Sequence, residues 1–169
     1  LIYRVDSSGD EPICIMDVTP VQVAMERLVS CVDAGPMVIR AAIKNLENVL
    51  LEYPQTEQPL EHFFAKGLYG RKIFNPAGSV IVTALHKEQN LSSILKGTLL
   101  VITENGTEIL EAPKFFVTNP GTKRVLYAVE DVIFTTVHPN PLGLRDTDEL
   151  ERRIIAESFD EIEIEGVRI

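Results

Sequence analysis

GSVIVTALHKEQNLSSILKG, residues 78–97, is the stretch whose reading decides the fold. It opens on Gly78, passes through a segment rich in β-branched residues and reaches His86. A polar turn, Lys87-Glu88-Gln89-Asn90, follows, then a second short apolar segment that closes on Gly97. Val, Ile and Thr favour extended backbone, so the stretch is expected to form a strand, a turn and a strand. Side chains alternate along a strand, which predicts that Val80, Val82, Ala84 and His86 share one face.

The same character continues downstream. Residues 67–74, 79–86, 91–95, 98–103, 107–110, 114–117, 124–129 and 132–138 read as short strands. Turn residues punctuate them: Asn75-Pro76-Ala77-Gly78, Asn119-Pro120-Gly121-Thr122 and Glu130-Asp131. Asn105-Gly106 between two apolar runs is the strongest short hairpin signal in the chain and implies a type I′ turn. About seven or eight such strands at regular spacing mean a sandwich or barrel.

Upstream, the period changes. Residues 13–16 suggest a short strand. From 21 to 33 the apolar positions Val21, Ala24, Met25, Leu28 and Val32 recur at helical spacing. Ala34-Gly35-Pro36 closes that helix and opens a second, running to about residue 52 with Ile39, Ile43, Leu46 and Leu50 on one stripe. Residues 53–59 carry two prolines and no periodicity, which marks a linker. Past the strands, Pro139-Asn140-Pro141 ends the β region. Asp146 and Glu149 form a capping box for a helix through about residue 158, and residues 161–165 alternate acid and isoleucine like a half-buried strand. The expected organisation is a helical hairpin over 1–59, a β barrel over 60–140, and a helix with an acidic strand over 141–169.

Composition narrows the function classes. The chain has 169 residues, 45% of them apolar, and a net charge of −9. Such a length suits one domain with an appendage. An acidic chain lacks the basic face that releases counterions from phosphates or docks on an anionic bilayer, so neither nucleic acid nor membrane is an expected partner. No apolar run approaches membrane-spanning length. Cys14 and Cys31 lack metal-ligand spacing and read as reduced thiols.

The spacing of Gly78, His86 and Gly97 resembles the first motif of the cupins, G-x5-H-x-H-x3-E-x6-G, with Ala84 at the first histidine and Asn90 at the glutamate. The second cupin motif, G-x5-P-x-G-x2-H-x3-N, is approached at Pro120-Gly121, and its histidine falls at Val125, or at Arg124 if the turn is one residue shorter. More widely, residues 62–150 resemble the small cupin-like proteins of tailed bacteriophages. The matching pieces include His62-Phe63-Phe64-Ala65-Lys66-Gly67-Leu68-Tyr69-Gly70-Arg71, Pro120-Gly121-Thr122-Lys123-Arg124 and Thr135-Thr136-Val137-His138. Where that group often has Glu-His after His-Lys, this chain has Gln89-Asn90.

The resemblance implies a mainly β fold, a double-stranded β-helix or jelly-roll barrel, carrying the helical hairpin before it and the helix and strand after it. Of the four usual metal ligands only His86 stands in place, so no cofactor is expected. The alternative is a divalent transition metal held by His86 and His138. Ligand-binding candidates are His86, Asn90, Arg124, Tyr127, His138, Tyr69 and Arg71. Tyr69 and Arg71 share a strand face, whereas Arg124 and Tyr127 lie on opposite faces, so the set cannot all point inward.

The leading expectation is a phage-type cupin that binds a small polar or anionic molecule in its barrel. A second class is a virion or tail protein using the barrel as a scaffold. A third is a metalloenzyme, or a sugar-nucleotide isomerase or epimerase with His86 as general base. A homo-oligomer such as a dimer, built through the helical hairpin and the C-terminal elements, is expected from the resemblance, as is residence in the cytoplasm of an infected bacterium or in a virion.

Overall fold

The computed structural model describes residues 2–4, 20–53, 55, 59–164 and 167–168, with the backbone alone at 2–4, 160, 163, 164, 167 and 168. In chain order the elements are strand β1 (Ile2–Arg4), helices α1 (Pro20–Ser30) and α2 (Pro36–Leu51), and strands β2 (Leu60–Ala65), β3 (Gly67–Asn75), β4 (Ser79–Val82) and β5 (Leu85–His86). Strands β6 (Asn90–Lys96), β7 (Thr98–Thr103), β8 (Gly106–Glu111), β9 (Lys114–Thr118), β10 (Val125–Ala128) and β11 (Val132–Asn140) complete the barrel. Helix α3 (Thr147–Ile154), strand β12 (Ile155–Ala156), a 3-10 turn (Phe159–Glu161) and the pair β13 (Glu163–Ile164) and β14 (Val167–Arg168) follow.

The pairing is nested. Strand β3 lies beside β11, β4 beside β10, β6 beside β9 and β7 beside β8, all antiparallel. This is one long hairpin rolled up on itself, its tip at the β7–β8 turn, and it is the jelly-roll connectivity of a double-stranded β-helix. Two five-stranded sheets result, β1-β4-β10-β7-β8 and β2-β3-β11-β6-β9. The mainly β class, the hairpin of helices before the barrel and the helix after it are as the sequence led us to expect.

Two separate apolar clusters hold these layers. Ile81, Ile94, Leu99, Val101, Leu110, Leu126 and Val132 fill the space between the two sheets. On the outer side of the first sheet, Val80, Val82, Ile102 and Val125 meet Val21, Ala24 and Leu28 of α1 and Ile39, Ile43, Leu46 and Leu50 of α2. Both helical stripes are therefore spent on the barrel wall. Ion pairs fasten the same junction: Arg40 to Glu104 of the β7–β8 turn, and Lys123 to Glu47 at 2.6 Å.

Several local expectations are corrected. The strand expected over 79–86 is broken at Thr83-Ala84. Thr83 N donates to Arg124 O at 2.9 Å, and the chain then leaves β10 to pair with β12. Alternation lasts only while pairing is continuous, so Val80 and Val82 face the helices while His86 faces the barrel interior. The Asn105-Gly106 turn is not type I′, because Asn105 does not have positive φ: among the described residues only glycines do. Thr103 pairs with Gly106, placing Glu104-Asn105 at the tip, and Thr103 Oγ1 accepts from Asn105 N at 3.1 Å. Strand β2 was not foreseen; β11 runs two residues past His138 to Asn140; and α3 stops at Ile154 because Ile155-Ala156 is recruited as β12 against β5. The capping box is present, with Asp146 Oδ1 accepting from Glu149 N at 2.9 Å. The suggested strand over 13–16, and Cys14 within it, lie outside the described residues, while Cys31 is a free thiol.

Candidate functional site

The inner face of the second sheet is polar at its centre. Arg71 on β3 stands opposite Thr136 on β11, Thr136 opposite Ser92 on β6, and Ser92 opposite Phe116 on β9. One step along, Tyr69 stands opposite His138 and Asn90 opposite Thr118. Period-two alternation aims both rows inward. His86 arrives from β5 and lays its ring on that of His138, with centroids 5.0 Å apart and planes 25° apart.

Hydrogen bonds link part of this lining. Arg124 Nη1 donates to Thr118 Oγ1 at 3.1 Å, Thr118 and Ser92 share a hydroxyl contact of 2.9 Å, and Ser92 Oγ donates to Asn90 Oδ1 at 3.0 Å. His138 Nε2 meets Thr136 Oγ1 at 3.0 Å. Arg124 also lies over the Phe116 ring, 5.4 Å from its centroid. Four buried nitrogens are left over: Arg71 Nε, His86 Nδ1, His86 Nε2 and Asn90 Nδ2 have no hydrogen-bond partner. Buried polar atoms are nearly always satisfied, so orphans on one inward sheet face and on the histidine that packs over it mark positions that a water or ligand completes.

Electrostatics follow from burial and from two guanidinium groups. Burial, with Arg71 and Arg124 nearby, pushes His86 down to about 4. Burial, with His86 and Arg71 nearby, pushes His138 down to about 3. Both rings are neutral at pH 7, each with one N–H and one acceptor nitrogen. Burial raises Tyr69, whose Oη lies 2.7 Å from His62 Nδ1.

The space is layered. A cavity of about 30 Å³ has a mainly apolar wall of Leu99, Val101, Leu110, Phe116, Leu126 and Phe134, with Thr83, His86, Ser92, Thr118, Arg124 and Thr136 as its polar lining; Arg71, Asn90 and His138 are not among its lining residues. Outside it, a groove of about 590 Å³ runs between the β7–β8 hairpin, β9 and the loop before β10. Val101, Leu110, Phe116 and Arg124 line both spaces.

Of the seven expected ligand-binding residues, His86 and Arg124 line the inner cavity, Arg71, Asn90 and His138 stand on the same inward sheet face, and Tyr69 shares that face but packs against Leu150 and Ile154 of α3. Tyr127 lies elsewhere: it packs on the outer side of the first sheet against the helical cluster. The two candidate positions for the second-motif histidine are also resolved. Val125 is outward in the helical cluster, and Arg124 takes the inward place beside His86. His62 lies on β2 and reaches Tyr69 rather than the cavity. Thr83, Ser92, Thr118 and Thr136 were missed; counting in twos from Asn90 and back from His138 finds Ser92 and Thr136.

The donor set does not fit a divalent metal. It offers two imidazoles, one already engaged by Thr136, with two guanidinium groups close by. Among the described residues no group of three His, Cys, Asp or Glu side chains is placed to hold a metal ion. No described helix is long and apolar enough to cross a membrane.

No family model matches the chain, and no curated protein matches it. Several of the solved structures similar to it are described as cupins. An RmlC-like cupin with a double-stranded β-helix fold from Methanocaldococcus jannaschii is 14% identical over 52% of this chain and 85% of that one, with a TM-score of 0.44. A cupin-2 domain protein from Shewanella frigidimarina is 11% identical over 56% and 91%, at 0.41. An acetylacetone dioxygenase from Acinetobacter johnsonii is 14% identical over 56% and 74%, at 0.43.

Proposed function

We propose that this protein binds a small polar or anionic molecule whose acceptor-rich end enters the barrel between Arg71, His86 and Asn90. The observation that carries the reading is the set of four unpartnered buried nitrogens, flanked by the Arg124 guanidinium. Arg71 Nε, the Asn90 amide and one His86 nitrogen are donors, so the completing group supplies acceptor oxygens to them, as a carboxylate or other oxyanion does, while the other His86 nitrogen accepts from a hydroxyl or water. The inner cavity has room for a head group of a few atoms at most, and the remainder of the molecule lies in the polar groove beyond Arg124 and Phe116. Origin in a tailed phage, with residence in host cytoplasm or virion, belongs to the proposal and rests on the resemblance of residues 62–150.

A scaffold role is the second reading, favoured by the apolar side chains of Ile81, Leu99, Val101 and Leu126, which fill much of the barrel. Native mass spectrometry on untagged protein prepared without chelator separates the readings. A retained small-molecule mass, lost in Arg71→Leu, is the expected result. An empty, metal-free protein moves the assignment to the scaffold. A first-row metal lost in His86→Ala overturns the proposal in favour of a metalloenzyme.

A further inference from the structure

A second space lies outside the barrel. A cavity of about 250 Å³ opens where α2, the β7–β8 turn, β5 and the segment after β12 meet. None of its lining residues lines the inner cavity or the groove. It backs onto the barrel site through one thickness of chain: Leu85 and Lys123 line it, whereas their neighbours His86 and Arg124 line the inner cavity. Ile43 and Leu85, 2% and 5% exposed, give it an apolar floor, and Phe159 adds an aromatic edge.

The charges around this floor do not all cancel in pairs. Arg40 is spent: it pairs with Glu104 and lies over the Phe159 ring, 4.7 Å from the centroid. Lys44 and Lys123 converge on one carboxylate, Glu47, at 3.0 and 2.6 Å. Glu47 is not in the lining, so the cavity meets the two ammoniums rather than the carboxylate behind them. Together they hold one positive charge more than Glu47 neutralises, and each ammonium has donors to spare. On the C-terminal side, Glu157 lines the same cavity and makes no ion pair among the described residues. One surplus cation and one surplus carboxylate thus face an apolar space smaller than a drug-sized ligand needs.

We propose that this cavity binds a small zwitterion with an apolar body, of the kind and size of a free apolar α-amino acid. The ligand carboxylate meets Lys44 and Lys123, its ammonium meets Glu157, and its side chain covers Ile43, Leu85 and Phe159. A plain carboxylate is drawn to the lysines but repelled by Glu157, and a plain amine meets the reverse. A molecule carrying both charges on an apolar frame satisfies every part of the lining. The site uses none of the residues assigned to the barrel ligand, so it stands or falls apart from that reading.

The test follows the Ile43 and Leu85 methyl signals of the ¹³C-labelled full chain while L-leucine is added, with isocaproate (no amine) and isoamylamine (no carboxylate) as comparisons. Saturable movement with L-leucine is expected, and each comparison is expected to bind at least about fivefold more weakly. Glu157 is exposed and the Lys44 side chain is 66% exposed, so Glu157→Gln and Lys44→Gln should melt like wild type. Glu157→Gln is expected to weaken L-leucine without weakening isocaproate. Lys44→Gln is expected to weaken both and to spare isoamylamine. Arg71→Leu, which disables the barrel site, is expected to leave L-leucine binding unchanged. Methyl signals that stay still with L-leucine, L-valine and L-phenylalanine through the high millimolar range overturn the proposal. So does isocaproate binding as tightly as L-leucine, or L-leucine binding that survives Glu157→Gln and is lost in Arg71→Leu.

Discussion

His86 and His138 stack inside the barrel with ring centroids 5.0 Å apart, and both are held neutral. The pair makes folding sensitive to acid. Their folded values, about 4 for His86 and about 3 for His138, lie below the ordinary 6.5. Between roughly pH 4 and 6.5 the unfolded chain binds protons that the fold refuses, so stability rises with pH across that window. Each histidine contributes at most about 1.4 kcal/mol per pH unit. Urea unfolding at several pH values checks this, and His138→Phe should flatten the slope by about half, as one of the two groups is removed. A wild-type stability that is flat from pH 4 to 6.5 contradicts the buried, neutral pair.

Gly97 closes the stretch that decides the fold, and its backbone leaves no room for a side chain. It sits at φ 82°, and a Cβ there would fall 2.4 Å from Asp131 O. Gly97→Ala is expected to cost about 2 kcal/mol or more, from left-handed strain and the displaced backbone. A chemical-denaturation midpoint within error of wild type speaks against the β6–β7 geometry.

Leu46 joins the helices to the barrel wall. It is fully buried in the cluster that includes Val80, Val82 and Val125. Leu46→Ala is expected to cost about 2–5 kcal/mol and to lower the midpoint of a single transition seen by both far-UV dichroism and tyrosine fluorescence. Two separated transitions would show that the helices fold apart from the barrel.

The large architecture was legible because it rests on patterns that survive without context. Helical spacing found Leu28, Ile43 and Leu46; the glycine frame and turn residues found the barrel; Asp146 and Glu149 found the cap. Failures came where a partner strand overrode the local pattern. Recruitment of Ile155-Ala156 by Leu85-His86 both shortened α3 and reset the alternation that had put His86 on the face of Val80. The site was partly legible for the same reason. His138 and Asn90 lie on unbroken strands, and their inward direction follows from counting. Whether Arg124 or Val125 turned inward depended on the length of one loop, which only the Arg124–Thr83 backbone contact fixes.

Arg124 lines both the cavity and the groove, with Val101, Leu110 and Phe116, so shortening it should widen the passage between them. Arg124→Ala is expected to speed ligand entry and exit while weakening affinity several-fold, through loss of one nearby cation. Stopped-flow binding of the molecule identified by mass spectrometry reads both rates. An unchanged affinity with unchanged rates would remove Arg124 from the site.

The most direct measurement follows the three histidines of the chain by ¹H–¹³C correlation of their ring Cε1–H signals while sodium formate is titrated at pH 7. Formate presents two acceptor oxygens on a frame small enough for the inner cavity. The expected result is saturable movement of the His86 and His138 signals, a still His62 signal, and loss of the response in Arg71→Leu. Silent His86 and His138 signals through the high millimolar range, or equal unsaturated drift of all three, would contradict an anion site built on the orphaned nitrogens of Arg71, His86 and Asn90.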